Sequence, residues 1–118
     1  MEDTHKGCTT SPQRGQVRHE LKIWPKPFSA ILNGYKTHEI RKNDSCFQVG
    51  DELMLQEWNP ETQQYTGSSL LVRVTYLTDL SSAGTIFTDE FAILTENFVV
   101  MSIKVESWAQ PNIDTVGD

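Results

Sequence analysis

Apolar and polar residues alternate at several places along this chain, and each alternation predicts a strand. From Arg18 to Trp24, His19, Leu21 and Ile23 fall on one face and Glu20, Lys22 and Trp24 on the other. A period of two is the signature of an extended segment. Pro25 and Pro27 end it, because proline cannot donate to a ladder. Pro27 suits the first turn of a helix. Phe28, Ile31 and Leu32 then recur at helical spacing, so residues 27–33 predict a short amphipathic helix that stops at Asn33-Gly34. A helix this short needs a sheet to pack on. Thr37 to Lys42 is the next strand, with Thr37, Glu39 and Arg41 on one face and His38, Ile40 and Lys42 on the other. Asn43-Asp44 is a turn signal. Glu52 to Trp58 is apolar enough for a central strand. Its hairpin partner runs from Leu70 to Leu77, across a loop that opens at Asn59-Pro60 and closes at Tyr65-Thr66-Gly67. Residues 78–96 fit either helix or extended chain: Ser81 to Gly84 reads as a loop, and Phe87, Phe91 and Leu94 can share a helical face. Asn97 to Val105 is the last strand, with Val99, Met101, Ile103 and Val105 facing one way.

The order is strand, short helix, three strands, a variable segment and a final strand. It predicts a small α+β domain built on a strongly bent antiparallel sheet or barrel. Residues 1–17 and 107–118 are polar and predict tails, leaving one domain over 18–106. The opening residues lack the basic-then-apolar order of a secretion signal, and no apolar run approaches a membrane span. Both point to the cytoplasm. The two cysteines are Cys8 and Cys46. Cys8 lies in the polar N-terminal segment, so two reduced thiols are expected and not a structural disulfide.

Charge changes the picture. The net charge is −6, which disfavours extensive coating of nucleic acid. Residues 18–42 nevertheless carry six bases against two acids, +4, while residues 43–118 carry two bases against twelve acids, −10. A small basic patch on an acidic body suits a short or single-nucleotide ligand, and the acidic remainder offers a surface for a protein partner. Candidate chemistry concentrates in the basic segment. His5, His19 and His38 lack metal-ligand spacing and no Cys-x-x-Cys occurs, so neither metal nor cofactor is expected. No phosphate loop, dinucleotide fingerprint or nucleophile elbow is present. Glu39 and Arg41, two apart on a strand, project to one side. On a solvated face they form a weak surface pair; in a cleft they place an acceptor and a forked donor at fixed separation, able to read a base edge or hold phosphate. Lys36, just past the helix-ending glycine, adds a third charge at the rim. Trp24 can stack on a base or cover the helix. Trp58 and Tyr65 read as packing residues beside the hairpin loop.

Gly34-x-Lys36-x-x-Glu39-x-Arg41 matches the G-x-K-x-x-E-x-R signature of the ASCH domain, a member of the PUA-like superfamily. The flanks agree in order: His19 to Pro25, Glu39 to Asp44, Val49-Gly50-Asp51, Glu57 to Pro60, and a final strand around Val99 to Ile103. Over residues 18–105 the chain resembles a compact bacterial, phage and plasmid branch of unknown function. The resemblance implies a β-barrel of about five strands with a helix across one opening. It also implies a cleft lined by the signature that binds RNA or a modified nucleoside. Lys36, Glu39 and Arg41 are then the ligand-binding residues, with Lys22, Trp24 and Lys42 beside them. A small ASCH branch of similar architecture hydrolyses N4-acetylated cytidine with a lysine matching Lys36, a threonine three residues later and a distant glutamate. Here Glu39 occupies the threonine position and the hydroxyl nucleophile is missing. Binding of single-stranded RNA or a nucleotide is therefore the leading expectation. A nucleoside amidohydrolase using Lys36 as base is the second. A phage- or plasmid-encoded protein-interaction factor is the third.

Overall fold

A computed structural model describes residues 15–80 and 97–111. Its elements are β1 (Arg18–Ile23), α1 (Pro25–Leu32), β2 (His38–Lys42), β3 (Glu52–Asn59), β4 (Gln64–Asp79) and β5 (Phe98–Ala109). The strands form a single curled sheet, a half-barrel, in the order β1-β3-β4-β5-β2. This agrees with the expected small α+β fold of about five strands and one helix.

One aspect of the topology departs from the sequence expectation. β1 runs parallel to β3, with His19 opposite Leu53 and Ile23 opposite Glu57, so the sheet is mixed and not antiparallel throughout. The chain leaves β1 through α1, lays β2 on the far edge against β5, and only then returns with β3 beside β1. A crossover of that length is what a parallel pair requires. The remaining pairs, β3–β4, β4–β5 and β5–β2, are antiparallel. β1 and β2 are thus the two edges of the sheet, and the seam between them is where the barrel stays open.

The core lies on the concave side. Leu53, Leu55, Leu70, Val72, Val74, Val99 and Met101 line it, and Phe28 and Ile31 of α1 press onto it across the mouth. Burial of each such side chain stabilises the fold by about 1.5–3 kcal/mol. The helix starts at Pro25, earlier than the expected Pro27. Both prolines fit a first turn, where backbone N–H groups have no helical partner, and the first helical bond runs from Phe28 N–H to the Trp24 carbonyl. Its end is a Schellman motif: Tyr35 N–H donates to Ala30 O and Gly34 N–H to Ile31 O, with Gly34 at φ +84°.

The hairpin and the last strand are longer than the alternation implied. β4 begins at Gln64, with Trp58 opposite Tyr65 and Asn59 opposite Gln64, because a tight turn held by the Asn59 side chain replaces the wider loop. The pattern is broken by a bulge near Gly67, at φ +95°, where a Cβ would sit 2.8 Å from Pro111 Cγ. β5 runs on through Ser107, Trp108 and Ala109, paired with Leu71, Leu70 and Ser69. The boundary drawn before Ser107 was therefore too early: backbone pairing with β4 extends the strand although its side chains are polar or exposed. On the convex side Arg73 ties strands together, donating to Glu52, Glu106 and the Gly50 carbonyl, while Arg18 donates to Glu52. The hydrogen bonds to Glu106 hold the Arg73 guanidinium above its already high ordinary pKa.

Cys46 corrects a second expectation. It is disulfide-bonded and not a reduced thiol, at the end of the Asn43–Cys46 turn with φ +54°. Cys8 and the ambiguous segment 81–96 lie outside the described residues.

Candidate functional site at the barrel seam

Register decides where the signature faces. Glu39 is opposite Met101 and Arg41 opposite Val99, and both partners are fully buried. Residues paired across an antiparallel ladder share a face, so the two charges point to the concave side. Ile40, opposite Val100, points outward and is 53% exposed. The strand is inverted: its charges face inward and its isoleucine faces out. Such an arrangement costs stability and needs a reason.

The charges satisfy one another. Glu39 is 5% exposed, and each of its carboxylate oxygens takes a different cation. Lys36 Nζ donates to Oε1 at 3.0 Å and Arg41 Nε donates to Oε2 at 2.6 Å. Lys36 also donates to the His38 carbonyl. Its position follows from the helix stop: the left-handed turn at Gly34 reverses the chain, and Lys36 N–H bonds back to Ala30 O. Arg41 Nη2 reaches across the seam and donates to the Lys22 carbonyl at 2.8 Å. That side chain therefore joins the two sheet edges where no backbone ladder does.

Around this triad lies a cleft of about 520 Å³, lined by Lys22, Ile23, Trp24 and Pro27 on one bank and Lys36, His38, Glu39, Ile40 and Arg41 on the other. The volume falls within the range of small-ligand sites. Glu39 uses both oxygens internally. Arg41 retains both hydrogens on Nη1 and one on Nη2 among the described residues, and Lys36 retains one. The triad carries a net charge of +1 and offers the cleft hydrogen-bond donors.

Of the residues expected at the site, Lys36, Glu39, Arg41 and Trp24 meet here, with Trp24 48% exposed as the residue before α1. Lys22 contributes differently. Its carbonyl lines the seam, while its ammonium lies 3.8 Å from the centroid of the Trp58 ring. Lys42 is exposed on the outer face and does not line the cleft. Ile23, Pro27, His38 and Ile40 were not anticipated as lining. Alternation puts His38 and Ile40 on the face opposite Glu39, so local periodicity gave no sign that they border the cleft. Among the described residues no three His, Cys, Asp or Glu side chains gather as a metal-binding group, and no helix is long and apolar enough to cross a membrane.

Comparison with known proteins agrees with this architecture. Crystal structures of the Y47F and S128A mutants of ZmASCH from Zymomonas mobilis superpose with a TM-score of 0.54 each. They cover 84% of this chain and 78% and 76% of theirs, at 13% identity, and so share the fold. A 12.9 kDa protein of Escherichia phage P2, from the GpA 3'region, is 41% identical over 63 residues, which is 53% of this chain and 56% of the phage protein. The match thus spans little more than half of that relative. The model of the family described as "Domain of unknown function (DUF3850)" matches residues 18–103. With an ASCH-like half-barrel and a family match over most of its length, the chain belongs to the DUF3850 family.

Proposed function

We propose that the seam cleft binds a nucleotide or single-stranded RNA through its phosphate. Lys36 and Arg41 are the donors and Glu39 is the acid that positions them. One observation carries this reading: a buried carboxylate binds two cations that line a cleft, and their hydrogen bonds among the described residues use only four of their eight N–H hydrogens. A flexible pair of surface cations would lose side-chain entropy on closing around an anion. Here that loss is taken when the chain folds, so the donors meet the ligand preorganised. Arginine supplies the forked geometry that matches phosphate oxygens, and Trp24 at the rim is placed to stack on the attached base, worth about 1–3 kcal/mol. The hydrolase alternative gains no support from the geometry. Glu39 stands where the threonine nucleophile belongs, and Lys36 spends two of its three donors on Glu39 and the His38 carbonyl.

The test is binding of a nucleoside monophosphate panel and a short oligonucleotide at low ionic strength, where electrostatic contacts are strongest. The expected result is measurable affinity that falls with added salt and is lost in Arg41→Ala. Absence of binding to every member of the panel at low salt would refute the proposal.

A further inference from the structure

Lys22 belongs to the cleft and also to a second feature just outside it. Its carbonyl receives Arg41. Strand alternation sends its side chain to the outer face, where the ammonium sits over the Trp58 ring and lies 5.9 Å from the centroid of Tyr65. The two rings are cross-strand partners at the β3–β4 hairpin, packed edge to face at 4.9 Å and 77°. β1 and β3 are parallel neighbours, with Lys22 opposite Gln56, so the hairpin lies next to the bank of the cleft. Tyr65 keeps 52% of its surface open to solvent.

These contacts do two things for Lys22. The ring faces attract the ammonium through their negative quadrupole and fix its position. At 3.8 Å the ammonium turns one N–H toward the Trp58 face and keeps the others for an anion. A pinned lysine beside an exposed tyrosine repeats the chemistry of the cleft, where fixed donors stand beside an exposed Trp24. Lys22 links the two features: its carbonyl receives Arg41 at the seam, and its side chain meets Trp58 and Tyr65 on the outer face. After residue 42 the chain has two bases, Arg73 and Lys104, against twelve acids, so the cations available to a polyanion are concentrated in the segment that holds Lys22, Lys36 and Arg41.

We infer that Lys22, Trp58 and Tyr65 form a second subsite that takes the nucleotide adjoining the one in the cleft. The natural ligand is then a single-stranded nucleic acid and not a free mononucleotide. Lys22 holds the intervening phosphate and the exposed Tyr65 ring stacks on the next base. The inference rests on the proposed function of the cleft and adds to it a length requirement.

Titration of uridine monophosphate, an oligouridylate of about eight nucleotides and an oligodeoxythymidylate of equal length tests it, with Tyr65→Ala and Trp58→Leu beside the parent protein. Thermal unfolding of each variant establishes that it is folded. The expected result is that one or both oligomers bind at least about tenfold tighter than the mononucleotide. Either hairpin variant then erases most of that gain and leaves the mononucleotide affinity unchanged. Equal affinity for monomer and oligomers, or a loss in the variants that is the same for both, overturns the second subsite and leaves the cleft reading intact. Absence of binding by any of the three ligands overturns both.

Discussion

Among the described residues two buried carboxylates, Asp51 and Glu39, are held in opposite ways. Asp51, 1% exposed, accepts from backbone and a ring: Val17 N–H to Oδ1, Gln48 N–H to Oδ2, and His19 Nε2 at 2.8 Å, the His19 ring itself resting on Phe47. Every one of those partners belongs to the frame that joins the start of β1 to the turn before β3. Glu39 is bound by two side chains that are themselves about a quarter exposed and retain spare donors. Both acids are buried, but the partners of Glu39 are side chains that line a cleft, whereas Asp51 takes two backbone N–H groups and a buried ring. On the proposed function the difference separates an acid that fixes a fold from an acid that arranges a site, and burial alone does not make that distinction.

The contrast predicts different responses to removal. Asp51→Ala leaves the buried His19 ring and two half-buried backbone N–H groups without this acceptor, and each hydrogen bond lost to a charged group costs about 1.5–3 kcal/mol. Denaturant unfolding reads this directly, and a loss below about 1 kcal/mol would contradict the structural role. Arg41→Ala removes the forked donor and the link to Lys22. Its main effect falls on ligand affinity, about 1.5–3 kcal/mol for a charge-assisted hydrogen bond, with a smaller effect on stability. Arg41→Lys keeps the charge but loses the fork, so it should recover only part of that affinity. Glu39→Gln is the sharpest comparison with Asp51. Lys36 and Arg41 are exposed enough to rehydrate, so the stability cost should stay near 1–2 kcal/mol. Binding weakens because the donors lose their fixed position. Arg73→Ala on the convex face sits at the small end: a slight lowering of Tm and no change in binding, since Arg73 is far from the seam in strand order.

Much of this was legible before any coordinates. Strand phase placed Glu39 and Arg41 on one face, and the Asn33-Gly34 stop placed Lys36 beside them, because both follow from local backbone periodicity. Local periodicity carries no information about which strands become neighbours. The parallel β1–β3 pair and the open seam that Arg41 bridges were invisible for that reason. The same limit hid the pairing of Ser107 to Ala109, where the backbone ladder and not an apolar pattern extends the strand. It hid His19–Asp51 as well, since the two residues are 32 apart and meet only after β1 lies alongside β3. Trp58 and Tyr65 do pack on one another beside the hairpin, as the sequence suggests. Their contact with Lys22, a residue of a different strand, lies beyond local periodicity.

The most direct test of the account is to compare Glu39→Gln and Asp51→Asn in one pair of assays, oligonucleotide affinity at low salt and thermal unfolding. The account predicts a crossed result: Asp51→Asn lowers Tm more and, at temperatures where it remains folded, binds like the parent, whereas Glu39→Gln keeps most of its Tm and loses most of its affinity. If the two substitutions change affinity and Tm in the same proportion, Glu39 is a second structural acid and the seam is not a binding site.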